Sequence, residues 1–282
     1  MNQNVRKITE GAMMVALIGV FMLIDRQFQG TFSSMFVFLL PLPMVYFGAK
    51  YGLRDSLMVL TAIIFVSFIF ASPFAVFFFV AEAIIGLVYG CGIYQNVESK
   101  RLLLRTMVLG GLTELLAVVI NVAIFGVSFD QLVLELRETF DMMQKSMGLA
   151  VNTNVDINVL LRNVFFVSTL MLGVLEAIVT HISSRLLLKR LRMKIPESTP
   201  LYLYFPPKWI GYVALVGMFG YLYIGSGYIK TEPALTIISA LGTFAYFYLT
   251  AMGVVGLLVM IGLMAKESRK ILTFVVFILA IV

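Results

Sequence analysis

The sequence predicts an all-α polytopic integral membrane helix bundle of about eight spans and part of a ninth, and three observations carry that prediction. Hydrophobic residues make up 61% of the 282 residues and charged residues only 13%, too little charge to cover a soluble domain of this size. The apolar residues fall in runs long enough to cross about 30 Å of hydrocarbon. The lysines and arginines also alternate from loop to loop in the way that membrane orientation requires.

The first run covers residues 9–25, the second 33–49, the third 55–71, the fourth 74–95, the fifth 105–127 and the sixth 162–187. A seventh lies near 208–226 and an eighth near 234–264, the latter long enough to predict tilt or an extension beyond the bilayer. The last stretch, 271–282, is apolar but short, and reads as a half-helix or a truncated one. No A-x-A-like cleavage site follows the first run, which continues through Asp25, so it is expected to stay as a helix.

Cytoplasmic loops hold the excess of lysine and arginine. With the N-terminus cytoplasmic, 16 of the 21 fall inside, from Arg6 and Lys7 through Lys50, Arg54, Lys100, Arg101 and Arg105 to the cluster Arg185–Lys194 and onward. Arg26, Arg137, Lys145, Arg162 and Lys230 remain outside. The net charge of +6 is thus a topology signal for a multi-pass membrane protein. Basic residues spread over separate short loops make a nucleic-acid surface a poor reading, whereas the cluster at 185–194 suits anionic lipid headgroups of the bilayer.

Between the fifth and sixth spans the chain predicts an external amphipathic helix at 128–150. Phe129, Leu132, Val133, Leu136, Phe140, Met143 and Met147 recur at helical spacing opposite Asp130, Glu135, Glu138 and Asp141. Ser128 and Gln131 have the spacing of a capping box. Such a helix rests on the membrane surface or the bundle, or closes as a lid over an external site. Asn152, Asn154, Asp156 and Asn158 alternate like a calcium loop but lack its glycine and final glutamate, which argues against calcium.

Three lone carboxylates, Glu82, Glu114 and Glu176, lie inside the fourth, fifth and sixth runs. An ionisable group in hydrocarbon costs several kcal/mol unless it is paired, protonated or facing a water-filled cavity. Counted at 1.5 Å per residue from the helix ends, all three fall within a slab of roughly 6 Å near the midplane. Each shares a stripe with small or polar residues: Glu82 with Gly86 and Tyr89, Glu114 with Gly110, Ala117 and Asn121, Glu176 with Thr169, Gly173 and Thr180. The candidate substrate contacts are therefore Glu82, Glu114, Asn121 and Glu176. The alternative for each glutamate is a structural one, protonated and bonded to a neighbouring helix.

Other chemistry finds little support. One cysteine, Cys91, and one histidine, His181, exclude an intramolecular disulfide and a Cys/His zinc cluster, so no metal and no cofactor is expected. His181 is turned away from Glu176 near the inner boundary, where a hydrogen-bonding role is expected. No P-loop, H-E-x-x-H or G-x-S-x-G sequence occurs, and the chain is not expected to be an enzyme. The aromatic residues around Tyr202–Trp209 read as an interfacial belt.

In the first span, Ala12, Ala16 and Gly19 form a small-residue face beginning at its cytoplasmic end, suited to internal packing or to a partner helix. An alanine pair four apart, low on the first of six spans that precede a basic cytoplasmic stretch, resembles the substrate-binding S-components of energy-coupling-factor vitamin transporters. The resemblance implies that residues 1–195 form a six-helix S-component-like bundle, with 196–282 as additional membrane helices. It also implies that Ala12 and Ala16 receive a membrane coupling protein driven by ATPases. S-components usually stop at six helices, and no vitamin-binding motif occurs in the outer loops here.

Over nearly its whole length the chain is similar to the YybS-like family of bacterial membrane proteins (DUF2232), a resemblance that implies a place in the bacterial inner (plasma) membrane. The likeness lies in the Thr9-Glu10-Gly11-Ala12 start, the long loop after the fifth span, and the Tyr204-Phe205-Pro206-Pro207-Lys208-Trp209 lead into the seventh. The function expected is binding of a small molecule for uptake in a midplane polar cavity. The alternative is a non-transporting scaffold or regulator that holds another protein.

Overall fold

Long apolar runs broken by short polar links can satisfy their backbone groups in a bilayer only as helices, and helices are what the chain forms. The computed structural model describes residues 3–31, 37–126, 128–147, 157–197, 206–224 and 232–264. In chain order the helices are α1 (Gln3–Gln27), α2 (Leu42–Phe70), α3 (Pro73–Tyr94), α4 (Ser99–Phe125), α5 (Phe129–Met147), α6 (Ile157–Arg190), α7 (Lys208–Ile224) and α8 (Glu232–Met264). Among the described residues, five segments are long and apolar enough to cross a membrane: 4–27, 37–70, 75–94, 99–123 and 160–190. The chain is a multi-pass helical membrane protein. The expected partial span at 271–282 and most of the calcium-like stretch at 152–158 lie outside the described residues.

The helices form two compact units, Met1–Val127 with Thr169–Thr199, and Ser128–Ser168 with Pro200–Val282. In the first, α1 buries Gly11, Met14, Ile18, Met22 and Asp25, one stripe at spacings of three and four. Met14, Ile18 and Met22 join Met44, Phe47, Ile63 and Phe79 in a common apolar core.

The second predicted span needs correction. Residues 33–36 lie outside the described residues, a single 3-10 turn covers Val37–Leu39, and the helix begins only at Leu42. Pro41 and Pro43 explain this: proline lacks the N–H and fits only a helix's first turn, so a helix containing both must start there. At Gly52 the backbone leaves helical geometry, with φ 76° and ψ −173°, a region that favours glycine. Residues 42–51 run parallel to α3, with Gly86 against Pro41, Gly90 against Val45 and Tyr94 against Gly52. Residues 53–70 run parallel to α1, with Val59 against Gly11 and Val66 against Gly19. The chain thus reverses at Gly52, and the predicted full second span is a ten-residue segment of about 15 Å, half a crossing.

The turn from α2 to α3 is capped by Ser72, whose hydroxyl accepts from the Ala75 amide at 3.3 Å, with Pro73 opening the helix. α4 ends at Gly126, in the left-handed region at φ 64°. Its backbone touches that of α6 where Gly110 meets Gly173.

In the second unit the predicted capping box is present. The Gln131 amide donates to Ser128 Oγ at 3.2 Å, and the Ser128 amide donates to Gln131 Oε1 at 2.8 Å. Along α5, Val133 is buried and Leu132, Leu136 and Phe140 are half-buried, while Asp130, Glu135 and Glu138 are exposed. Arg162 reaches Asp130 at 3.3 Å, Asn163 bonds Ser239, and α7 packs on α8 where Gly217 meets Leu241 and Gly242 meets Tyr221.

Candidate functional site

Within the first unit, α3, α4 and α6 bring the three predicted glutamates together. Gly110 and Gly173 let α4 and α6 touch; the two helices run antiparallel, since Ser99 meets Arg185, so Glu114 and Glu176, one turn after each glycine, lie to either side of that contact along the helix axes. Glu82 is fully buried, Glu176 is 2% exposed and Glu114 8%. Glu82 and Glu176 stand close enough for their charges to act on each other, and Glu114 lies within electrostatic range of both. The oxygens of Glu82 and Glu176 have no hydrogen-bond partner apart from each other.

The unpartnered groups continue along α6. Thr180 Oγ1 and Ser184 Oγ, four and eight residues after Glu176 on the same stripe, are buried and also without a partner. The neighbouring polar residues of α6 are engaged instead. Tyr89 Oη lies 2.9 Å from Nδ1 of His181, and Arg185 donates to Ser99 Oγ at 3.1 Å and to the Pro196 carbonyl. His181 thus makes the kind of hydrogen bond expected of it, but from a buried position.

A cleft of about 840 Å³ opens among the far end of α1, the 3-10 turn, the α2–α3 turn, α4 and α6. Its walls include Phe38, Phe78 and Leu172, and Glu114 and Glu176 lie on it. Glu82 is not on the cleft wall. Asn121 is half-buried two turns beyond Glu114 and does not line the cleft either. Asp25, buried to 2% exposure, does line it. Asp25 closes the first apolar run and looks like a helix end in the sequence, yet it shares the buried stripe of Gly11, Met14, Ile18 and Met22.

Beside the cleft the unit carries a second concavity, an apolar groove of about 850 Å³ along α1 and residues 53–70. Ala12, Ala16 and Gly19 all lie on it. Ala12 and Ala16 are exposed, whereas Gly19 is buried, and a Cβ there would rest 3.5 Å from Val66. The groove ends at the Lys7–Asp55 ion pair, 2.6 Å apart. Next to it, Glu10 accepts from Lys50, Arg6, Tyr46 and Tyr51, a network that no local pattern announces because its members come from two helices.

Among the described residues, no three His, Cys, Asp or Glu side chains converge as a metal ligand set. No curated protein and no solved structure matches the chain. One family profile does, described as a predicted membrane protein (DUF2232), and it covers residues 16–282. With that match spanning nearly the whole chain, the protein belongs to the DUF2232 family of predicted membrane proteins.

Proposed function

We propose that this is a membrane-embedded, non-enzymatic component that binds a small molecule for uptake, in the manner of an S-component. The observation that carries the reading is the cleft: about 840 Å³, within the usual size of ligand pockets, largely apolar, and reaching Glu114 and Glu176 at depth. A few polar groups set into an apolar concavity are what orient a small ligand. In the orientation set by the basic loops, with the N-terminus cytoplasmic, the cleft faces the outer side of the inner membrane. Ala12 and Ala16 would then present the groove to a membrane coupling protein.

That groove also favours a second reading, a scaffold that transports nothing and holds another protein. Mass spectrometry of the protein purified from its native membrane in mild detergent separates the two. A stoichiometric small molecule that is lost in Glu114→Gln, or a co-purifying ATPase module, supports uptake. A reproducible protein partner with no small molecule in the parent overturns uptake in favour of the scaffold.

A further inference from the structure

The polar groups at the cleft are unbalanced in sign. Asp25, Glu114 and Glu176 line it, against Arg26 as the cation among its described lining residues. Behind the wall, Glu82 adds a fourth carboxyl, fully buried and with no partner other than Glu176. The basic groups nearby are turned elsewhere: Arg185 to Ser99 and Pro196, His181 to Tyr89, while Arg26 is exposed. Thr180, fully buried one turn from Glu176, adds a second kind of unpartnered oxygen to the same place.

Two adjacent carboxyl groups in a water-excluded site cannot both carry charge without a counter-ion, and a proton is the counter-ion that the chain alone can hold there. Glu176 touches both environments: it lies beside Glu82 and on the cleft wall. A ligand entering the cleft therefore meets a carboxyl that exchanges its proton, flanked by the apolar and aromatic surfaces of Phe38, Phe78 and Leu172.

We infer that the cleft takes an amine cation with an apolar body, and that the ammonium displaces a proton held by the Glu82–Glu176 pair. This rests on the small-molecule reading above and adds the ligand's class. The exchange balances: the O–H bond of one carboxylic acid breaks, its electron pair stays on the carboxylate that now faces the ammonium, and one proton leaves. Glu114, also on the cleft wall, is placed to pass it to solution. The site's charge is the same before and after, which avoids the cost of an uncompensated ion at that depth. A neutral ligand would release no proton, and an anion would meet three carboxyls.

The test uses the full-length protein in nanodiscs, with 2-phenylethylamine, neutral 2-phenylethanol and anionic 3-phenylpropionate as matched probes. Dicyclohexylcarbodiimide reacts with protonated carboxylic acids, and its adducts are located by peptide mass spectrometry. At neutral pH we expect adducts on Glu176 or Glu82. The amine should suppress them about tenfold once it stands at about ten times its half-effect concentration, and the other two probes should not. Proton release in weak buffer should accompany amine binding and vanish in Glu176→Gln. Absence of adducts on both residues, or adducts that the amine leaves unchanged, overturns the exchange. Protection by the alcohol or the acid in place of the amine overturns the ligand class while leaving the binding cleft standing. The labelling uses the unaltered chain, so it does not depend on a variant folding. The cleft reading itself is judged separately, by the co-purified ligand.

Discussion

Gly110 and Gly173 face each other at a contact that admits no side chain. A Cβ on Gly110 would stand 2.7 Å from the Gly173 carbonyl oxygen, and a Cβ on Gly173 would stand 2.6 Å from the Gly110 carbonyl carbon. Backbone opposes backbone, so no flexible side chain can swing away to make room. Without a strong hydrophobic drive between helices in lipid, such close approach is a main source of helix association.

Gly110→Ala and Gly173→Ala are therefore each expected to destabilise the protein by about 1–3 kcal/mol, the cost typical of overpacking. Gly111→Ala is the control, since a methyl there meets Leu170 at 3.5 Å, an ordinary contact. Thermal unfolding in detergent checks the order. Equal midpoints for the Gly110 and Gly111 variants would mean that α4 and α6 are not held by this contact.

Glu10 ties the start of α1 to the reversal in α2. Lys50 Nζ donates to it at 2.6 Å, Arg6 Nε at 3.0 Å, Tyr51 Oη at 3.0 Å and Tyr46 Oη at 3.1 Å. Glu10→Gln keeps the shape and removes the charge, leaving Lys50 part-buried with its counter-charge gone; the expected loss is about 1–3 kcal/mol. In Glu10→Gln combined with Lys50→Met, the loss should be smaller than the sum of the two single losses, as for any directly coupled pair. Chemical or thermal unfolding of the four proteins closes the cycle, and strict additivity would remove Glu10 from the account of how α1 is anchored.

Gly52 carries the reversal itself. With φ at 76° and the Tyr94 ring 3.0 Å from where a Cβ would stand, Gly52→Ala meets both backbone strain and a side-chain contact. That positive-φ, extended conformation is essentially restricted to glycine and costs another residue about 1–3 kcal/mol. Hydrogen exchange of residues 42–51 should rise in the variant relative to α3. Unchanged exchange would show that the half-crossing is held by its packing on α3 and not by the turn.

Ala12 and Ala16 are exposed on the lateral groove, so bulk there is accommodated within the chain itself. Ala12→Phe and Ala16→Phe should leave the unfolding free energy within about 0.5 kcal/mol of the parent, as for surface positions, yet lower recovery of a co-purifying partner. Gly19→Phe, at a buried position against Val66, should instead destabilise the fold. A partner yield untouched by the two alanine changes would leave the groove to lipid.

Much of the architecture was legible in the sequence because it depends on local chemistry. A run of apolar residues becomes a helix in lipid whatever its neighbours do, and a capping box such as Ser128 with Gln131 closes within four residues. Pro41 and Pro43 were equally visible, and their effect on the second span was missed because hydropathy was weighed without the backbone donor that proline lacks.

The sequence by itself determined the class, most of the helical segments and the amphipathic α5, since each follows from composition or from spacing counted along one stretch of chain. Only the tertiary structure decided that Glu176 stands beside Glu82 while Asn121 misses the cleft, that Asp25 joins it, and that Glu10 gathers four donors. Those outcomes depend on how far each helix is rotated about its own axis. That rotation is set by contacts between residues far apart in the chain, such as Gly110 against Gly173.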